Sequence, residues 1–126
     1  EGSVAAALTA MLQADRRSEA EAAFERGLAA AREVGDRRLE VILLDDLSQL
    51  FSQKEDWPRA VAADLEASAR LAAIAEDVRQ GRLDDSLLLD LRRLFKERYV
   101  HEPQLTVDLF LGLFYQLAVE PVVTEG

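Results

Sequence analysis

The chain has 126 residues, with 15 Lys and Arg against 24 Asp and Glu, a net charge of −9, 49% apolar residues and no cysteine. That apolar content supports a folded core and argues against disorder, and the missing cysteines exclude disulfides, zinc–thiolate sites and thiol chemistry. The acidic balance argues against nucleic acid and against an anionic membrane surface, both of which are met first by Lys and Arg.

Alanine and leucine dominate the apolar set, so the expectation is an all-α protein of about six helices. The first is read from about Ser3 to Ala14 on Val4, Leu8, Met11 and Leu12, and a polar break follows at Asp15-Arg16-Arg17. The second begins at Ser18 with Glu21 three residues on, a capping-box spacing, and carries Ala20, Phe24, Leu28 and Ala31 up to Gly35. Asp36 can cap a third helix bearing Leu39, Ile42, Leu43, Leu47, Leu50 and Phe51. Asp56, with Pro58 just inside the start, opens a fourth through Ala60, Leu65, Leu71 and Ile74, which stops at Gly81. The fifth starts near Asp84-Asp85-Ser86 and runs to Tyr99. The sixth spans about Pro103 to Val119 before Pro121.

A self-comparison at a spacing of 40 residues aligns the first helix with the third and the second with the fourth. Val4 falls on Leu44, Ala7 on Leu47 and Met11 on Phe51, while Ala20 falls on Ala60, Ala23 on Ala63 and Gly27 on Ala67. Ala20 and Ala60 are therefore expected at equivalent buried places. Leu44, Leu47-Ser48 and Phe51, then Ala20, Phe24, Gly27 and Leu28, together with Glu55-Asp56-Trp57, resemble the long-repeat, kinesin-light-chain-like class of tetratricopeptide repeats over about residues 1–78. Leu8 stands where that class usually has glycine, and Asp64 where it usually has an aromatic residue.

The resemblance implies a single helical domain over 1–126: antiparallel hairpins stacked as a short α-solenoid, with two repeat-like hairpins in 1–80 and an atypical capping or docking hairpin in 82–120. An ordinary six-helix bundle is the alternative.

Chemistry has little to work with. His101 is the lone histidine and sits in an expected turn beside Pro103, so no metal site and no Ser-His-Asp arrangement is expected. Neighbouring carboxylates on a helix point about 100° apart, so Asp45-Asp46 and Asp84-Asp85 are not facing acid–base pairs. No enzyme activity and no cofactor are expected.

Asp45-Asp46 is unusual because mid-helix Asp has poor helix propensity. By resemblance the pair faces the concave groove of a repeat. Asp45, Asp46, Gln49 and Ser52 are then a candidate partner-binding surface for a basic or amide-rich segment; otherwise they are the solvated side of an amphipathic helix. The sixth helix is apolar nearly all round, which makes Phe110, Leu113, Phe114 and Leu117 either a homo-oligomer or docking interface, or plain core.

The function these features imply is a protein–protein interaction or adaptor module that binds a peptide or helix of another protein. The other reading is a structural helical-bundle subunit of a larger complex, with its interface on the C-terminal hairpin. The longest apolar run, 109–119, is too short to span a bilayer, no signal-peptide pattern opens the chain, and a cytoplasmic location is expected.

Overall fold

A computed structural model describes residues 2–101, and within them every element is an α-helix. There are four: α1 (Gly2–Val34), α2 (Arg37–Gln53), α3 (Trp57–Arg79) and α4 (Ser86–His101). None of the described helices is long and apolar enough to cross a membrane. The expected sixth helix lies outside the described residues.

The boundaries follow from local chemistry. Gly35 takes a φ of +73° to close α1 and Gly81 does the same after α3, a backbone that a residue without Cβ adopts freely. Asp36 caps α2 by accepting from the Leu39 amide at 3.1 Å, and Asp56 caps α3 by accepting from the Arg59 amide, with Pro58 in the first turn. Asp84 accepts from the Ser86 amide at 2.8 Å and starts α4.

The expected break at Asp15-Arg16-Arg17 does not occur: the first two expected helices are one helix of 33 residues. Those three residues are charged, but none is Gly or Pro, and charge alone does not end a helix. The capping box is accordingly unused. Ser18 lies mid-helix, and the Glu21 carboxylate is bound by Lys54 at 2.6 Å, which with Arg59 holds its pKa below the usual range.

The side-chain links fix the directions. Glu21–Lys54, Arg32–Glu40 and Arg17 to the Gln53 carbonyl run α1 antiparallel to α2. Arg37–Asp77 and Arg70–Glu40 make α3 antiparallel to α2 in turn. Arg38–Asp90 and Asp45–Arg98 set α4 parallel to α2.

The core is the face of α2 carrying Val41, Leu44, Leu47 and Phe51, packed on Ala60, Ala63, Ala67, Leu71 and Ile74 of α3, with Leu88, Leu91 and Phe95 of α4 joining it. Small residues let the backbones approach. A Cβ on Gly27 would stand 3.1 Å from Leu43 Cδ1, so α1 meets α2 closely there.

Equivalence of the two alanines holds only in part: Ala60 is 1% exposed, whereas Ala20 is half-buried. The helix expected to cover Ala20 continues straight into α1 instead. Ala60→Leu should therefore destabilise the fold by roughly 1–3 kcal/mol through overpacking, whereas Ala20→Leu should change stability by less than about 0.5 kcal/mol. Chemical denaturation of the two variants checks the contrast.

Candidate functional site

The four candidate groove residues share α2 but do not share an environment. Asp45 is 0% exposed, while Asp46, Gln49 and Ser52 are half-buried. Asp45 is thus neither an open partner contact nor part of a solvated face. Its carboxylate accepts from Gln49 Nε2 at 2.9 Å and from the guanidinium of Arg98, which also reaches Asp46 at 3.1 Å. Arg98 lies 53 residues on, in the last turns of α4, and its guanidinium carbon lies over the Phe95 ring, 5.7 Å from the centroid. Burial pushes the Asp46 pKa up, and Arg98 partly counters it.

Beside this cluster runs a buried polar seam between α2 and α3. Ser48 donates to the Ala60 carbonyl at 3.1 Å and Ser68 to the Asp64 carbonyl at 3.0 Å, so both hydroxyls are satisfied by backbone. Asp64 is not so provided. It is 4% exposed, and its Oδ1 has no hydrogen-bond partner among the described residues. Burial, and then the nearby negative charge of Asp45, push its pKa to about 8. Asp64 is therefore an acid held toward its protonated form next to an ion-paired one. Because Asp45 and Asp64 are both closed to solvent, this pair has no room to receive a substrate in the described conformation.

Clefts open at the surface of α2 on both sides of α1. One, of about 300 Å³, lies between α1 and α2 and is lined by Arg16, Arg17, Ala20, Phe24, Asp46, Gln49, Leu50 and Gln53. The other, of about 400 Å³, lies between α1 and α3 with Leu44, Leu47 and Phe51 as its floor. Its walls are partly alanine, and Arg32 pairs with Glu66 across its rim. Arg59 stacks over Phe51 at 4.2 Å at the same groove. Of the candidate residues, Asp46 and Gln49 thus meet a common cleft, whereas Asp45 and Ser52 are not among its lining residues.

Sequence reasoning missed Arg16, Arg17, Arg98 and Asp64 as members of this region. Only Asp64 carried a local signal, an acid on the small-residue face of a helix. The candidate interface residues Phe110, Leu113, Phe114 and Leu117 lie outside the described residues. No group of His, Cys, Asp or Glu able to hold a metal ion occurs among the described side chains. No family model, curated protein or solved structure matches the chain.

Arg98→Ala removes a guanidinium that the buried Asp45 accepts from and should cost roughly 3–5 kcal/mol by denaturant unfolding, the range for breaking a buried ion pair from one side. Asp45→Asn combined with Arg98→Met should recover part of that loss.

The titration of Asp64 has a defined sign. Its folded pKa of about 8 stands above the ordinary value of 3.8, so its contribution to stability is complete below that lower value and is lost progressively as pH rises to about 8. Melting temperature should rise as pH is lowered from 9 to 5. It should fall again at lower pH, where Asp77 and Asp90, held low by Arg37 and Arg38, begin to protonate. Asp64→Asn should flatten the upper limb, which a series of thermal melts would show.

Proposed function

We propose that the chain is a protein-binding helical module: a short stack of antiparallel hairpins, of tetratricopeptide type, that holds a segment of a partner protein in the cleft between α1 and α2. The observation that carries this reading is the make-up of that cleft. Its floor of Ala20, Phe24 and Leu50 is apolar, and its sides bear Asp46, Gln49, Gln53, Arg16 and Arg17. Amide side chains pair with the donors and acceptors of an extended peptide, and an apolar floor takes one or two of its side chains.

The electrostatics alter the partner expected from the α2 acids alone. Asp45 and Asp46 are both engaged by Arg98, so one of their two charges is matched within the chain, and the two arginines of the cleft outweigh the other. Arg16 and Arg17 stand at the mouth. An amide-rich segment carrying an acidic residue complements this arrangement better than a basic one.

Peptides selected from a displayed random library against the whole chain provide the test. Arg16→Glu and Gln49→Ala should each weaken the selected peptides at least tenfold, while the melting temperature stays within about 2 °C, since both positions lie at the surface or half-buried. Higher salt should weaken the interaction further through its electrostatic part. Unchanged affinity in both variants would remove this cleft as the binding site.

A further inference from the structure

The corner where α3 hands over to α4 holds a pocket of about 210 Å³. Its wall is apolar, made by Ala75 and Val78 of α3 and by Leu88 and Leu89 of α4. Leu88 is buried, whereas Leu89 is 51% exposed at the edge. Arg79 at the end of α3, Arg92 in the second turn of α4 and Asp85 complete the lining. The corner is held in shape from outside. Arg37 and Arg82 both bind Asp77, Arg38 binds Asp90, and Asp84 accepts from the Ser86 amide where α4 starts. Arg37 and Arg38 open α2, so this pocket lies at the other end of that helix from the cleft lined by Asp46, Gln49 and Gln53.

Arg92 is the anomaly of the corner. Its Nε is closed to water and has no hydrogen-bond partner, and its side chain makes no ion pair among the described residues. The neighbouring acids are committed elsewhere: Glu76 to Arg79, Asp77 to Arg37 and Arg82, Asp90 to Arg38 and Arg93. Asp85 shares the pocket with Arg92 but is not bonded to it. A buried donor left unpaired costs free energy. A guanidinium beside an apolar wall suits a carboxylate, which takes two of its N–H groups side by side.

We infer that this pocket binds a small monocarboxylate with an apolar body, its acid end on Arg92 and its body against Ala75, Val78, Leu88 and Leu89. The size fits. A cavity of about 150 Å³ holds one benzene ring, so about 210 Å³ takes a ring or a short branched chain together with the carboxylate. Arg92 is half-buried, and a rotation within its long side chain turns Nε and one Nη toward the ligand. Arg79 adds attraction from the mouth, where it is exposed and shared with Glu76. Asp85 repels a second negative charge, which selects against dicarboxylates and phosphate esters.

Titration of phenylacetate into the isotope-labelled full chain, followed by nuclear magnetic resonance, tests this. The amide signals of Leu88, Leu89 and Arg92 should move to saturation with a Kd of about 1 mM, ordinary for a ligand of about ten non-hydrogen atoms. Those of Ala20 and Gln49 should stay in place. Acetate, which lacks the body, and phenylacetamide, which lacks the charge, should each bind at least tenfold more weakly. Arg92→Met keeps the apolar stem and removes the orphan donor. It should weaken phenylacetate at least tenfold while the melting temperature holds or rises. Leu89→Glu places a carboxylate three residues before Arg92, where it pairs with that side chain along the helix. It should weaken phenylacetate to the same extent, and the exposed position keeps the chain folded.

Four results overturn the inference. Absence of saturable shifts at Leu88, Leu89 and Arg92 would mean the pocket takes no such acid. Equal binding of acetate or phenylacetamide would mean that the wall or the charge plays no part. Full affinity in Arg92→Met would take the carboxylate off Arg92. A fall in melting temperature for Arg92→Met, with phenylacetate still bound by Leu89→Glu, would make Arg92 a structural residue.

Discussion

The guanidinium of Arg98 is the interaction on which the C-terminal side of the molecule turns. It reaches across from α4 to two carboxylates on α2, one wholly buried, and in doing so fixes the register of α4 against α2. A buried carboxylate without a cation would neutralise or force the packing open. Arg98 supplies that cation to Asp45, and after burial itself it is the negative charge of Asp45 that pushes the Asp64 pKa up one helix away. Register, ionisation and the point at which the chain leaves α4 are thus coupled through one side chain. The price is specificity without much net stability, since an apolar replacement of such a cluster is often as stable as the original.

The second organising fact is that α1 carries two amphipathic patterns on opposed sides. Its second half contributes Leu28 and Ala31 to the core, and its first half shows Leu8 and Leu12 to the exterior. Self-similarity at 40 residues makes sense of this. The first half is written like α2, whose counterparts Leu44, Leu47 and Phe51 are buried, but it lacks a turn that would bring it back. The first half runs past the end of α2, where Arg17 meets Gln53, so residues 4–16 are exposed on every side.

Much of the fold is legible in the sequence because it is written locally. Asp36, Asp56, Gly35 and Gly81 each act within a few residues, and each sits where a helix starts or stops. The apolar spacing of Leu44, Leu47 and Phe51 identifies the core face for the same reason. What the sequence does not announce is set by distance along the chain or by the absence of a breaker. Asp15-Arg16-Arg17 reads as an interruption because it is polar, yet helix termination needs backbone chemistry that these residues lack. Arg98 is one of several arginines in α4, and nothing near it in sequence marks it as the partner of acids 52 and 53 residues earlier. The two acids, adjacent and alike in sequence, are separated in kind only by helix geometry: Asp45 turns into the α2–α4 contact, and Asp46 lies at the edge of a cleft.

Trp57 opens α3 beside the Asp56 cap and is 48% exposed, and it is the single tryptophan of the chain. Its indole is about half exposed when the helices are packed, so its emission shifts less on unfolding than that of a buried tryptophan would. The charged neighbours Asp56 and Arg59 make it a reporter of the α2–α3 turn instead. Opening of the core around Phe95 and Leu91 would therefore be almost silent in tryptophan fluorescence while remaining plain in far-ultraviolet circular dichroism.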